Sequence, residues 1–280
     1  MIFSPVWYRL FAIHLVISFA LAGAAPAAEL LRYQDPAQPL TVRVDDLLSR
    51  MTLTEKLRQL ENRAAGTTAE IDQIFQGQSF GCTHEMSQPA AACAAMYSEL
   101  QAYMRQRTRL GIPILTAAEG IEGILQDDCT ILPQPLAQAS TWNPDLLRQC
   151  TAAAGAEAEA IGIHQILSPV LDLARELRWG RVEETFGEDP FLVGTMGTAF
   201  VQGYQSPHLT CTPKHFLAHG SPSGGLNCAS VAGGEGDLRN LYLPPFRQVI
   251  QATRPLAVMS CYSAYDGVPV AGSHYYMTDI

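Results

Sequence analysis

The chain has 280 residues, 48% of them apolar and 16% charged, and its formal net charge is −9. That composition is enough for an ordinary buried core and excludes a disordered chain. Only two basic residues are lysines, Lys56 and Lys214, and no basic run occurs, which excludes a nucleic-acid partner that would need clustered positive charge.

The chain opens like an export leader. Arg9 precedes an apolar run, Leu10 to Ala25, with small residues continuing through Ala28. This predicts a signal peptide over residues 1–27, cleaved near Ala24 or Ala27, and a secreted, extracellular protein that is not held in a membrane after cleavage. The alternative, an uncleaved anchor helix, fits less well, because the run is short for a span of about 20 residues and contains His14. The remaining 28–280 read as one domain. Its seven cysteines show no Cys-x-x-Cys pair, which argues against a zinc site, and an odd number cannot all pair in intramolecular disulfides.

Helical spacing covers Val42–Arg50 and Thr54–Asn62, with Thr54 a candidate N-cap ahead of Glu55. Pro89–Leu110 reads as a long helix with proline in its first turn. Ile112–Thr116, after Gly111, reads as a short buried strand. Asn143–Ile161 is helical and alanine-rich, His164–Leu173 strand-like, Pro190–Tyr204 helical and Leu209–Phe216 strand-like. Gly236–Ala252 is a helix interrupted by Pro244-Pro245, and Leu256–Tyr262 is a further buried strand.

Strands that alternate with helices and are apolar throughout predict an α/β fold with a parallel sheet. A (β/α)8 TIM-barrel-type sheet and an open doubly wound sheet both satisfy the pattern. No Gly-x-Gly-x-x-Gly follows a strand, so a dinucleotide sheet has little support and no cofactor is expected. About five βα units are present, fewer than the eight that close a barrel, so the barrel is expected to be incomplete.

In such a sheet the chemistry sits where strands end. Glu119 and Glu122 follow the Ile112 strand. Asp172, Arg175, Arg178, Trp179 and Arg181 follow the His164 strand. Lys214 and His215 follow Leu209–Pro213, and Ser260, Cys261 and Tyr262 follow Leu256–Met259. Lys214-His215 could be a solvated loop pair, but one of only two lysines at a strand end favours a functional role. Arg181 could equally hold its loop by pairing with Glu183, Glu184 or Asp189. Asp172 and Arg175 read as a structural ion pair. Trp179 reads as core, and Tyr262 could be a buried core tyrosine with a satisfied hydroxyl. His219 and His274 lack ligand spacing to any carboxylate, and only His215 among the histidines sits at a strand end, so no metal is expected.

The same residues form a known pattern. Ser168-Pro169-Val170-Leu171-Asp172-Leu173-Ala174-Arg175, followed by Arg178-Trp179-Gly180-Arg181-Val182-Glu183-Glu184-Thr185-Phe186-Gly187-Glu188-Asp189-Pro190, resembles the strongest signature of glycoside hydrolase family 3. Lys214-His215-Phe216, the segment from Glu235 to Phe246, and Met51 to Lys56 with Gln59-Leu60 are also similar to that family. The resemblance runs from about residue 40 to the end. It implies a β-glucosidase-like, retaining hydrolase of terminal β-linked glucose or xylose, with a β-linked oligosaccharide or glucoside as partner. It further implies a sugar pocket of Glu119, Arg181, Lys214, His215 and Tyr262. Glu119 stands at an acidic sugar ligand, Arg181, Lys214 and His215 at hydroxyl-binding positions, and Tyr262 beside the nucleophile.

Three departures from the family pattern follow. Glu122 stands where many members carry His, and Leu226 where many carry a sugar-binding Arg, which removes one charge-assisted hydrogen bond. The family's nucleophile is an Asp in a Ser-Asp motif beyond the position of Tyr262, and its acid/base Glu comes from a later domain. Asp279 matches instead a Thr-Asp that starts a helix, a capping role. Neither member of the carboxylate pair is therefore assigned, and the expectation is a chain truncated before the nucleophile and inactive alone. The alternative is an inactive fragment or a non-catalytic sugar-binding remnant.

Overall fold

A computed structural model describes residues 30–84, 88–206 and 208–280, and the leader expected over residues 1–27 lies outside them. The chain divides into two units, Met1–Lys56 and Leu57–Ile280. In the first, helix α1 spans Leu40–Arg50, with Arg50 paired to Asp46 one turn back at 2.9 Å. The next helix, α2, spans Leu53–Arg58. Its cap is Thr52 and not Thr54: Thr52 Oγ1 accepts from the Glu55 N–H at 3.2 Å, and Glu55 Oε2 accepts from the Thr52 N–H at 2.8 Å. This reciprocal pair is a capping box, and it moves the helix start to Leu53. The helical reading to Asn62 was too long, because Asn62 already pairs with the sheet.

The second unit is built on a four-stranded parallel sheet in the order β1 (Cys82–His84), β2 (Leu115–Ala118), β3 (Gln165–Ile166), β4 (Thr210–Cys211). Parallel bridges extend the series on both sides, Asn62 to Cys82 before it and Phe216 to Ser260 after it. Sequential order with helical crossovers is the (β/α)-barrel arrangement. Among the described residues no pairing joins the two ends of the series, so the sheet does not close into a barrel. The expected strands at His164–Leu173 and Leu209–Phe216 are shorter than their apolar runs, the one expected at Leu256–Tyr262 is reduced to the single bridge at Ser260, and Cys82–His84 had no apolar run to announce it.

Proline explains much of the shortening, because it has no N–H for the ladder. Pro169 and Pro213 follow β3 and β4, and the ladder resumes past them. Ile166 pairs with Cys211, and Val170 pairs with Lys214. The first pair is offset by 211 − 166 = 45 residues and the second by 214 − 170 = 44. One extra residue therefore sits on the β3 side, a bulge at Ser168–Pro169. A one-residue slip exchanges which face each side chain meets. Beyond it, the Lys214 N–H donates to Pro169 O at 2.9 Å and Lys214 O accepts from the Leu171 N–H at 2.6 Å.

Helices α3 (Ile71–Phe75), α4 (Ala90–Arg107), α5 (Pro135–Ala139), α6 (Pro144–Ile161), α7 (Pro190–Tyr204) and α8 (Leu243–Thr253) pack around the sheet. Asn143 caps α6 by accepting from the Leu146 N–H at 3.0 Å, and Asp189 caps α7 by accepting from Leu192 at 2.7 Å. The helix over Gly236–Ala252, expected to be interrupted at Pro244-Pro245, is irregular one turn earlier, in a π-helical turn, Leu238–Tyr242, and α8 runs through the prolines. Pro244 and Pro245 cannot donate to the carbonyls of Asn240 and Leu241, and the turn widens there.

The core lies between sheet and helices and includes Tyr97, Leu100 and Met104 of α4, Ile166 of β3, and Phe200 and Tyr204 of α7. Helices α6 and α7 approach at glycines: an added Cβ at Gly155 would lie 3.1 Å from Tyr204 O, and one at Gly203 would collide with Thr151 Oγ1 and lie 2.5 Å from Arg148 O. Gly203→Ala is therefore expected to lower stability by about 1–3 kcal/mol, the usual cost of overpacking a close contact. Urea unfolding of the substituted and unsubstituted proteins measures it, and equal midpoints would refute the close packing.

Candidate functional site

The carboxyl ends of the parallel strands converge on one set of charged side chains. Glu119 leaves β2 and is held by its own backbone: Ser168 Oγ donates to Glu119 O at 2.5 Å, and Tyr204 Oη donates to Gly120 O at 3.0 Å. Gly120 has φ +63, and a Cβ there would lie 2.6 Å from Ile166 Cγ2, so the loop can sit this close to β3 only with glycine. Lys214, just past the bulge, donates from Nζ to Glu119 Oε2 at 2.5 Å. Its residue is 2% exposed, so the pair removes an ammonium from water and compensates it at once.

Burial alone would push the Glu119 carboxyl upward. The His84 side chain at 3.6 Å from Oε1 and the Lys214 charge outweigh that and hold it at about 2. His84 was not singled out in the sequence, because Cys82-Thr83-His84 carries no strand-like apolar signal.

His215 is buried beside Lys214. Its Nδ1 lies 2.7 Å from Asp172 Oδ2, its backbone N–H donates to the same oxygen at 3.2 Å, and its Nε2 lies 3.2 Å from Arg181 Nη2. Asp172 thus pairs with His215, which corrects the expected Asp172–Arg175 ion pair. Neighbours in sequence were outcompeted by a partner across the sheet. Arg181 takes the Glu184 option: Nε donates to Oε1 and Nη2 to Oε2, both at 2.8 Å. That hydrogen-bonded pairing raises the Arg181 pKa above its ordinary value.

Trp179 is buried, and its Nε1–H donates to Asn227 Oδ1 at 3.0 Å. His219 fills the space between Trp179 and His215, with ring centroids 5.3 and 4.9 Å away, and burial pushes it down to about 4, leaving it neutral near pH 7. Tyr262 stacks edge-on to His219 at 5.8 Å and is 69% exposed, so the buried-core alternative for it is overturned. Asp279 Oδ2 lies 3.3 Å from His274 Nδ1.

Four of the five expected site residues, Glu119, Arg181, Lys214 and His215, meet directly or through one another, and Tyr262 joins them through His219. A cleft of about 350 Å³ opens over this group, lined by Glu119, Glu122, Gln134, Arg181, Glu183 and Glu184. A larger cavity of about 610 Å³ lies at the opposite, amino-terminal ends of the strands, lined by Leu115, His164 and Thr210 among others. None of the clustered residues reaches it, so the chemistry belongs to the smaller cleft. The seven cysteines form no disulfide. No group of three or more His, Cys, Asp or Glu among the described residues is arranged to hold a metal ion. No helix among the described residues is long and apolar enough to cross a membrane.

Known proteins resemble this arrangement. Residues 52–280 match the family described as glycosyl hydrolase family 3 N terminal domain. A β-xylosidase from Formosa agariphila is 36% identical over 61% of this chain and 26% of its own length. A periplasmic β-glucosidase from Salmonella typhimurium is 29% identical over 94% of this chain and 35% of its own length. Among solved structures, a β-glucosidase from Erythrobacter marinus is 31% identical with a TM-score of 0.77, covering 88% of this chain and 35% of that one. A β-glucosidase from Listeria innocua in complex with glucose is 31% identical with a TM-score of 0.72, covering 85% of this chain and 35% of that one. The chain thus spans about a third of the length of these relatives.

The depressed Glu119 carboxyl gives a titration test. A folded-state value below the ordinary 4.5 means that the Glu119–Lys214 pair contributes stability in full above about pH 4.5 and loses it as pH falls through about 2. The ¹³C carboxyl signal of Glu119 should still be ionised at pH 4, and Lys214→Met should move its midpoint upward. A wild-type midpoint at the ordinary value would refute the pair.

Proposed function

We infer the function from one premise: the chain belongs to the glycosyl hydrolase family 3 N-terminal domain family. The protein that carries it hydrolyses terminal β-linked glucosyl or xylosyl residues with retention of configuration. Water is added across the glycosidic bond, releasing the sugar and the leaving alcohol. The chain's own contribution is to hold the non-reducing sugar. β-Glucosidases and β-xylosidases among the relatives, and glucose bound in the Listeria innocua enzyme, support this substrate class.

The observation that carries the reading is the pairing of donors and carboxylate at the strand ends. Lys214 Nζ has three N–H groups and spends one on Glu119, leaving two for ligand oxygens. Arg181 presents its Nη1 edge, since Nε and Nη2 are engaged by Glu184 and His215. Glu119, with its side chain 40% exposed and its carboxyl ionised, is the acceptor for a sugar hydroxyl. His215 lies buried behind Arg181, and Tyr262 offers an exposed ring linked to it through His219. A pyranose carries hydroxyls that accept and donate around its rim, and this set supplies both.

The same protein is exported. The Arg9 start, the apolar run Leu10–Ala25 and the small residues through Ala28 support cleavage that removes residues 1–27. The periplasmic relative from Salmonella typhimurium agrees with a site outside the cytosol.

The protein that carries this chain should hydrolyse a chromogenic aryl β-glucoside or β-xyloside. Lys214→Met should lower kcat/KM by about 100-fold, as expected for loss of a charged hydrogen bond to substrate. No hydrolysis of either class by the unsubstituted protein, or an unchanged kcat/KM in the variant, would overturn the assignment.

A further inference from the structure

We propose that Asp172 is a positioning residue: it fixes the tautomer of His215, and His215 in turn aims Arg181 into the cleft. The inference deepens the sugar-binding reading, and its kinetic test rests on that reading, whereas its spectroscopic test does not.

Arginine remains protonated in proteins and has only donors. The Arg181 Nη2 that faces His215 Nε2 at 3.2 Å already gives one N–H to Glu184, and its second N–H points at the imidazole. Nε2 must therefore present a lone pair. A neutral imidazole with a bare Nε2 carries its proton on Nδ1. Nδ1 lies 2.7 Å from Asp172 Oδ2, the one arrangement in which that carboxylate accepts a proton-bearing nitrogen. The His215 backbone N–H donates to the same oxygen at 3.2 Å and fixes the ring's approach to Asp172. The Asp172 side chain is 0% exposed and that of His215 3%, so neither contact competes with bulk water.

The consequence falls on Arg181. Three of its five N–H groups are committed, two to Glu184 and one to His215, and the planar guanidinium then has one orientation in which its two Nη1 N–H groups are left. Arg181 lines the cleft, and those two N–H groups are the ones it has left to offer there. Glu184 alone would leave the guanidinium free to swing with its partner, because the two lie three residues apart on one turn. The imidazole, anchored across the sheet by Asp172, is the fixed second point.

Asp172→Asn preserves shape but replaces the carboxylate by a neutral amide, whose oxygen is a weaker acceptor and no longer holds the proton on Nδ1 by charge. His215 can then move its proton to Nε2, where it meets the Arg181 donor head-on. Arg181 must leave its pose or the histidine must rotate.

Two measurements test this. In the unsubstituted protein, two-dimensional ¹⁵N–¹H spectra should show His215 protonated on Nδ1 and bare on Nε2, and a proton on Nε2 alone would overturn the proposal without touching the sugar-binding reading. In kinetics, Asp172→Asn should lower kcat/KM for an aryl β-glucoside by about 10- to 100-fold, the usual size when a partner orienting a binding group is lost. Asp172→Asn added to Arg181→Ala should lower it no further than Arg181→Ala alone, since the effect travels through Arg181. Additive losses in that cycle would show that Asp172 acts by another route and would overturn the proposal. If Asp172→Asn fails to fold, the tautomer spectrum of the unsubstituted protein decides alone.

Discussion

Lys214 holds an ammonium where only 2% of the residue meets solvent. Such a charge persists only beside an anion, since the desolvation cost of an isolated one is several kcal/mol. The anion is Glu119, 95 residues earlier, at 2.5 Å. Glu119 follows β2 and Lys214 follows β4, with β3 between them. The pair therefore forms only when three strands take this order and this register. Fold and site are one constraint at this point. An error in strand order would leave a buried cation unmatched, and the Ser168 and Tyr204 hydrogen bonds to the backbone at Glu119 and Gly120 hold the acidic partner to its place.

The bulge at Ser168–Pro169 belongs to the same constraint. Without the extra residue, the stretch after β3 would continue in the register of Ile166 and Cys211, and every side chain beyond would meet the opposite face. Lys214 and Asp172 both lie past that irregularity. The two prolines that break the ladder thus mark the place where the sheet changes from a packed wall into a charged surface. The continuous apolar runs beneath it serve the core, and the polar residues after it serve the cleft.

This division explains what the sequence could reveal. The helices with clear ends were legible from their own residues: Pro190–Tyr204 was read to its limits and Asn143 marked the start of α6, and Asp189 and Asn143 cap these two helices. Glu119, Arg181, Lys214 and His215 were legible because each follows an apolar run. Strand lengths were not, because the runs continue through prolines that the ladder cannot use. His84 was hidden, since β1 is three residues with a polar centre and depends on its neighbours for existence. The partner of Asp172 was hidden for a different reason. Local spacing offered Arg175 three residues away, whereas the actual partner, His215, is brought in by strand pairing that no local pattern encodes. Tyr262 shows the reverse error: its apolar surroundings in sequence predicted burial equally with function, yet the ring is exposed at the edge of the group.

The electrostatic layout carries one more consequence. Both cations of the group are paired with a carboxylate, Lys214 with Glu119 and Arg181 with Glu184. Pairing lowers the net field that a ligand meets while leaving the N–H groups free to donate. A site built to capture an anion would gain by leaving its cations uncompensated. A site built for hydroxyls gains by fixing donor directions and keeping the charge balanced, because a neutral polyol repays geometry and not charge. Glu122 and Glu183, which also line the cleft, add negative charge without a cation beside them in the lining set and push the balance further from anion binding. Each feature, read alone, fits several ligands. Together they leave a group whose positive charge is balanced and whose donor directions depend on the partners that hold them.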